Sequence, residues 1–309
     1  MAPQTLAGLS LRDLEYAVAV AELRHFGRAA ERCGVSQPAL SEQIRKLEAL
    51  LGVTLFERQA RRVEVTAQGA VLLAQARAVM REARGLLDLA QQQAAPLSGP
   101  LRLGVIATLG PYYLPRVLRD VRARFPELVL RLQEGRTAGL VAALEAGELD
   151  AALIALPPPA GNLAAEPLFF EPFLLACPPG HPLLARRRLT LQALQGAEEA
   201  DRLLLLEEGH CLRDQALSLC ALPRGDREER FASSLEMLRH MIAAGEGFSL
   251  LPALAGQAGG GELDGLVATR PLDEDGIGRQ IGLVWRGTDP RRDDFSQLAG
   301  FLKETAPLP

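Results

Sequence analysis

Four thiols carry most of the reactive chemistry in this sequence of 309 residues: Cys33, Cys177, Cys211 and Cys220. Cys211 stands among groups that bear on its ionisation, with His210 before it and Arg213 and Asp214 after it. A helix starting there would add partial positive charge, and with the His and Arg would favour a nucleophilic thiolate. The alternative for any of the four is a small buried hydrophobe. Four cysteines are too few for a disulfide scaffold and no close pair has zinc-ligand spacing, so neither a metal nor a cofactor is expected. Gly104 and Gly110 lack the G-x-G-x-x-G spacing of a phosphate loop, and neither G-x-S-x-G nor H-E-x-x-H occurs.

A second chemistry is polar and basic. Net charge is −4, yet residues 1–95 carry 12 Arg/Lys against 10 Asp/Glu, and residues 24–62 carry 8 against 4. A locally basic N-terminal segment on an acidic body points to a DNA-binding module joined to something else. Ser36, Gln37, Pro38, Ser41 and Arg45 are the candidates for base edges and phosphates, and Arg58, Arg61 and Arg62 for phosphates or a narrowed minor groove. A merely solvated basic face is the alternative.

The pattern also predicts the elements that hold these residues. Ser10 is placed to cap a helix over 11–22, and a second helix fits Phe26–Arg32 with Gly34 ending it. Ser36 caps a third over Gln37–Leu51, with Pro38 in its first turn and Gly52 at its end. There Leu40, Ile44, Leu47 and Leu51 make one apolar face, with Ser41, Gln43, Arg45 and Lys46 away from it. Short helices around a glycine turn make a helix-turn-helix. Residues 55–66 read as two extended pieces around a basic tip, a wing. Thr66 then caps a long helix to about Gln93, on which Leu72, Ala76, Val79, Ala83, Leu86 and Ala90 form a heptad seam beside Leu73, Met80 and Leu87. A helix roughly 40 Å long with such a seam predicts a dimer.

After a linker at 95–100 the texture becomes α/β. Strands at Leu101–Ile106, Leu128–Gln133 and Ala151–Leu156 alternate with helices at about Pro115–Phe125 and Leu140–Ala146, which predicts a parallel sheet. A second series runs from Phe169 through Leu203–Leu206, Ser234–Ala244, Phe248–Leu251 and Ile281–Trp285, with Gly259–Gly261 as a surface loop. The expected class is α/β with an all-α N-terminal part: a winged helix-turn-helix over 1–65, a dimerisation helix over 66–95 and an α/β part over 96–309. Two small α/β lobes hinged by extended strands would place a cleft between them. Thr108 and Thr137, after the first and second strands, fall where strand ends line an interlobe crevice; turn capping is their alternative. No apolar run reaches the ~20 residues of a membrane span, and the N-terminus lacks a signal-peptide pattern, so a soluble cytoplasmic protein is expected.

Arg28-Ala29-Ala30, Val35 to Ser41, Ile44 to Glu48, Leu50 and Gly52, closed by Thr66-Ala67-Gln68-Gly69, resemble the winged helix-turn-helix signature of the LysR-type transcriptional regulators. The remainder resembles that family's effector domain, which is similar to periplasmic binding proteins; this implies a regulatory domain over 96–309 of two Rossmann-like lobes, about 97–170 plus 285–309 and about 171–284. Glu208 to Ala216 with Cys220 beyond, Ser98 to Leu101, and Ser234 to Arg239 resemble its peroxide-sensing members. This resemblance implies that Cys211 reacts with hydrogen peroxide and that Cys220 resolves the sulfenic acid as a disulfide. It implies that Thr108 and Thr137 help bind peroxide, that His210, Arg213 and Asp214 surround it, and that Arg286, following the last strand, polarises the site. On one continuous helix the two sulfurs' residues would stand roughly 13 Å apart, out of disulfide reach, so the bond would require refolding. It further implies a homotetramer, a dimer of dimers, on promoter DNA, with RNA polymerase recruited to antioxidant genes and a cellular thiol reductant resetting the switch. Two rivals remain: a regulator of this family sensing a small metabolite in the cleft, and a thiol peroxidase. An enzyme of that kind would need neither wing nor heptad helix, so no enzymatic activity is expected.

Overall fold

Side-chain caps set the start of each of the first three helices. α1 (Leu11–Leu23) starts at Ser10, whose hydroxyl accepts the Asp13 N–H while the Asp13 carboxylate accepts the Ser10 N–H. α2 (Phe26–Arg32) starts at His25, whose Nδ1 accepts the Arg28 N–H. Histidine is not among the usual cap residues, so pattern alone does not reveal it. α3 (Gln37–Leu51) starts at Ser36, carries Pro38 in its first turn and ends at Gly52, whose φ of 67° suits glycine. Leu14, Val20, Phe26, Leu40, Ile44 and Leu47 close on a common core. β1 (Phe56–Gln59) and β2 (Arg62–Val65) form the wing hairpin, and the Glu48 carboxylate accepts the N–H groups of Leu55 and Phe56 where the chain enters it.

This is a computed structural model that describes residues 7–59, 62–91, 96–159, 161–195, 203–219, 231–257, 263 and 265–306. Its contacts divide the chain into two units, Met1–Gln91 and Gln92–Pro309. α4 (Ala67–Gln91) completes the first unit, with Thr66 Oγ1 accepting the Gly69 N–H at its start. Its apolar seam is divided in use. Leu73 and Ala76 are buried in the core of their own head, with Leu72 and Met80 packed against it, while Val79, Leu86 and Leu87 stay exposed.

In the second unit, β3 (Gly99–Ile106) leads into α5 (Gly110–Arg124), which starts well before the expected Pro115. Pro111 takes the first-turn place that suits proline, and Pro115 is carried inside the helix. β4 (Leu128–Gly135), α6 (Thr137–Glu145), β5 (Ala151–Leu156) and the 15-residue β6 (Leu163–Cys177) follow. Then come α7 (Leu191–Leu194), β7 (Leu205–Leu206), α8 (Cys211–Leu219), β8 (Phe231–Ala232), α9 (Leu235–Ala243), β9 (Ser249–Pro252) and α10 (Ala253–Gly256). β10 (Ala268–Pro271), β11 (Gly278–Arg286) and α11 (Arg292–Glu304) close the unit. Gly259–Gly261, expected as a loop, lies outside the described residues.

The three strands expected to be parallel are so, and the sheet that contains them is mixed. Its order is β10-β6-β11-β5-β3-β4, with β9 also on β6. β3 is parallel to β4 and β5, but β11 runs antiparallel to β5 and β6, and β9 and β10 run antiparallel to β6. Helical crossovers impose parallel pairing only on the strands they join, and β11 enters the sheet from the opposite end. β6 runs through the expected lobe boundary, pairing with β11 over its first two thirds and with β9 and β10 over its last third.

Candidate functional site

β3 and β4 end side by side, with Ile106 opposite Gly135 and the Ala107 N–H bonded to the Gly135 carbonyl. Thr108 and Thr137 therefore follow neighbouring strand ends. Thr108 is 2% exposed; Thr137 opens α6 with its Oγ1 buried and unpartnered.

β11, being antiparallel, brings its first residues to this end: Gln280 pairs with Leu156 at the end of β5, and Trp285 with Ala151 at its start. Arg279 thereby meets Thr108. Its Nη1 donates to Thr108 Oγ1 at 2.7 Å, its Nη2 to the Thr108 carbonyl at 3.0 Å, and its Nε to the Glu171 carboxylate at 2.8 Å. Arg286, the arginine expected here, lies at the other end of the strand. There it donates to the carbonyls of Leu144 and Leu149 and pairs with Asp289. Strand direction is the reason for the correction. In a parallel strand the last residues face the crevice, whereas in β11 the first ones do.

Arg136 ties a second segment to Thr137. It donates to the Glu208 carbonyl at 2.8 Å and the Glu207 carboxylate at 3.0 Å, and its Cδ would stand 3.0 Å from a Cβ on Gly209. Gly209 also has a φ of 90°, a left-handed geometry that favours glycine. His210 and Cys211 come next in the chain. Burial and the Arg136 guanidinium hold the buried His210 imidazole below its ordinary pKa, against a backbone hydrogen bond to Ser233 and the Glu207 carboxylate. The ring is therefore neutral at neutral pH, and its Nε2 is buried without a partner. Cys211 is a half-buried free thiol on the first residue of α8. Gln215 lies one helical turn on, sharing its face, with Oε1 buried and unpartnered.

Thr137 Oγ1, His210 Nε2 and Gln215 Oε1 are the buried side-chain polar atoms without partners among the described residues. Each such group costs roughly 1–3 kcal/mol if left unmet. His210 and Gln215 lie on either side of Cys211 in the chain, and Arg136, next to Thr137, joins the two segments.

Other candidates fall elsewhere. Arg213 stacks its guanidinium over the Phe231 ring at 4.4 Å, and Asp214 is exposed in the first turn of α8. Cys220 and Arg61 lie outside the described residues. Cys177 is fully buried, which pushes its thiol up to about 11; burial also raises the Cys33 thiol. On the head, Ser36, Gln37, Pro38 and Arg45 are exposed, and Arg45 pairs with Glu42 at 2.9 Å. Ser41, expected on the outer face, is only 9% exposed. It lies three residues before the buried Ile44, so the inward arc of α3 is wider than its leucines alone indicate. Backbone register places Arg58 and Arg62 in the wing hairpin.

Residues 11–70 match the bacterial regulatory helix-turn-helix protein of the lysR family, and residues 94–307 match the LysR substrate binding domain. This chain belongs to the LysR family. A relative of this LysR-family regulator, the "DNA-binding transcriptional dual regulator OxyR" of Escherichia coli (strain K12), is 46% identical over 296 residues, covering 96% of this chain and 95% of that protein. A full-length OxyR of Pseudomonas aeruginosa has a similar structure, with a TM-score of 0.75 at 39% identity over 96% of this chain and 95% of that one. A hydrogen peroxide-bound OxyR of Corynebacterium glutamicum has a TM-score of 0.61 at 35% identity over 96% and 92%. Among the described residues of this LysR-family chain, no helix is long and apolar enough to cross a membrane.

Four residues of the site escaped sequence reading: Arg136, Glu171, Gln215 and Arg279. Gln215 was within reach, since it sits four residues after Cys211 in a segment already read as helical. Arg279 and Glu171 depend on strand direction and register, and Arg136 on a contact with Glu207 and Glu208, 71 and 72 residues away; no local pattern records either.

Proposed function

We propose that this LysR-family protein is a peroxide-sensing transcriptional regulator of the OxyR type, switched by a Cys211–Cys220 disulfide and controlling antioxidant genes. The observation that carries the reading is the buried, unpartnered polar atoms of His210 and Gln215 on either side of a free thiol at a helix start, with Thr137 joined to that segment through Arg136. Hydrogen peroxide, two O–H donors on two acceptor oxygens, suits a small site with such atoms. Thr108 adds a further polar group to this reading. One lone pair of its hydroxyl is engaged by Arg279, so its proton is directed away from the guanidinium and available to a ligand.

In this reading the Cys211 sulfur attacks one peroxide oxygen and the O–O bond breaks. The leaving hydroxide takes a proton and departs as water, while the sulfur is oxidised by two electrons to a sulfenic acid. The Cys220 thiolate then attacks that sulfur, the S–O bond breaks, a second water leaves, and the disulfide remains. The neutral His210 ring and the Thr137 and Gln215 oxygens orient the peroxide, and Arg279 acts through Thr108. The refolding needed to join the two sulfurs is the output, passed through a homotetramer on promoter DNA to RNA polymerase, with a cellular thiol reductant closing the cycle. Ser36, Gln37, Pro38, Arg45 and the wing arginines Arg58, Arg61 and Arg62 serve the DNA contact, while Ser41 packs beneath it.

Intact mass and peptide mapping after one equivalent of peroxide test this directly. The parent should lose two hydrogens, mapped to Cys211–Cys220, and Cys220→Ser should yield a trappable sulfenic acid on Cys211. Free thiols at both positions, with oxidation at Cys33 or Cys177 instead, would refute it.

A further inference from the structure

We infer that Glu171 is a positioning residue for the peroxide step: it fixes Arg279, and through Arg279 the hydroxyl of Thr108. The inference rests on the peroxide-sensing reading above and adds to it a residue from the middle of β6. Glu171 is 2% exposed and sits in register directly opposite Arg279. Each of its oxygens has a fixed partner. Oε2 accepts the Arg279 Nε–H and lies 2.8 Å from Nη2, while Oε1 accepts the Leu254 N–H at 3.2 Å, in the first turn of α10. The guanidinium, its side chain wholly buried, is thus a plane with a carboxylate along one edge and Thr108 along the other.

The consequence at Thr108 is directional. A donor held 2.7 Å from Oγ1 occupies one lone pair and leaves the hydroxyl proton to point elsewhere. Without the carboxylate, Arg279 is a buried cation with no carboxylate partner among the described residues. A buried charge in that state recruits water or turns to another partner, and the fork then no longer holds Thr108. Glu171 takes no part in the thiol's own substitution chemistry. Its loss should therefore slow reaction with peroxide, which needs an aligned donor, and spare alkylation, which does not.

The test uses the full chain in a Cys220→Ser background, so that only the first step is read. Oxidation of Cys211 by hydrogen peroxide and alkylation of Cys211 by iodoacetamide are timed for the parent, E171Q, T108V and the double variant. E171Q is expected to slow oxidation by about tenfold, roughly one hydrogen bond, and to leave alkylation within about twofold, the scatter of a bystander change. On top of T108V it should add less than about twofold, because a residue acting through Thr108 has nothing left to act through. Oxidation at the parent rate, an equal loss of alkylation, or an undiminished effect in the T108V background would each overturn the inference. If E171Q does not fold, the neutral pair E171Q/R279Q replaces it, expected to match T108V; the parent rate there would overturn the inference too. Failure of the background protein to oxidise at Cys211 would instead overturn the peroxide reading itself, and this inference with it.

Discussion

Oxidation should dismantle α8, and the geometry sets how much of it must go. From Cys211 to Leu219 the helix rises eight steps of 1.5 Å, roughly 12 Å. One further peptide reaches at most ~3.8 Å, so while α8 is intact the Cα of Cys220 comes no nearer than about 8 Å to that of Cys211. A disulfide allows up to about 6.8 Å. Closing the bond therefore breaks the helix and pulls on Leu212 and Leu217, both buried. Exposing two such leucines costs roughly 3–6 kcal/mol. Closing a ring of about ten residues returns about 2.7 kcal/mol by restricting the unfolded chain. The oxidised protein should thus be less stable by about 0.3–3.3 kcal/mol, with a Tm lower by roughly 1–13 °C for a unit of this size. Hydrogen exchange read by mass spectrometry resolves it locally: amides over 214–219 should be protected before one equivalent of peroxide and exchange freely after it. A confirmed Cys211–Cys220 disulfide with those amides still protected would refute the reasoning.

Other outcomes follow from other parts of the molecule. Leu86 and Leu87, exposed on α4, should lie in the dimer seam. Replacing both with alanine should raise the dimer dissociation constant at least roughly a hundredfold in sedimentation equilibrium, given four leucines per dimer at ~1.5–3 kcal/mol each when fully buried; an unchanged constant would remove them from the interface. Asp150 is a buried carboxylate bonded by Arg102 and Arg291, which hold its pKa down although burial alone would raise it. D150N should cost roughly 1.5–3 kcal/mol in urea unfolding at pH 7, because two partly exposed arginines lose a buried, charged acceptor. His210 is held neutral in the fold, so the unfolded chain takes the proton first. Its share of stability is full above about pH 6.5 and falls as pH drops below that value. H210Q should flatten the dependence of urea stability between pH 7.5 and 5, and equal slopes for parent and variant would count against the buried neutral ring.

The helical head was legible because its punctuation is local. Ser10, Ser36, Pro38, Gly34 and Gly52 sit where backbone donors, ring geometry and positive φ demand those residue types, and the structure uses them so. Thr108 and Thr137 were placed by a rule about strand ends that needs only strand order. Arg279 and Arg286 mark the limit. They are seven apart on one strand, and only the strand's direction decides which faces Thr108. That direction is set by where β11 enters the sheet, a property of the whole unit. Glu171 is harder still, since its meaning comes from being opposite Arg279 in a register that includes an irregularity between Ile281 and Gly282. Ser41 shows a milder failure: a small polar side chain can sit within a buried arc without changing the apolar periodicity that predicts it.

The shared core of α4 and the head has a mechanical meaning. Because Leu73 and Ala76 belong to the same packed interior as α1 and α3, the helix has no joint at its base. It is a rigid arm of 25 residues, about 37 Å long. Tilting it by about 10° from its free end would sweep the head by about 6 Å, close to the width of a minor groove. In the proposed regulator, two heads on such arms would turn a small angular change into a different stride along the duplex. The gearing of such a response would be set by helix length, and an insertion of whole heptads in α4 should change it without touching either the sensor or the recognition helix.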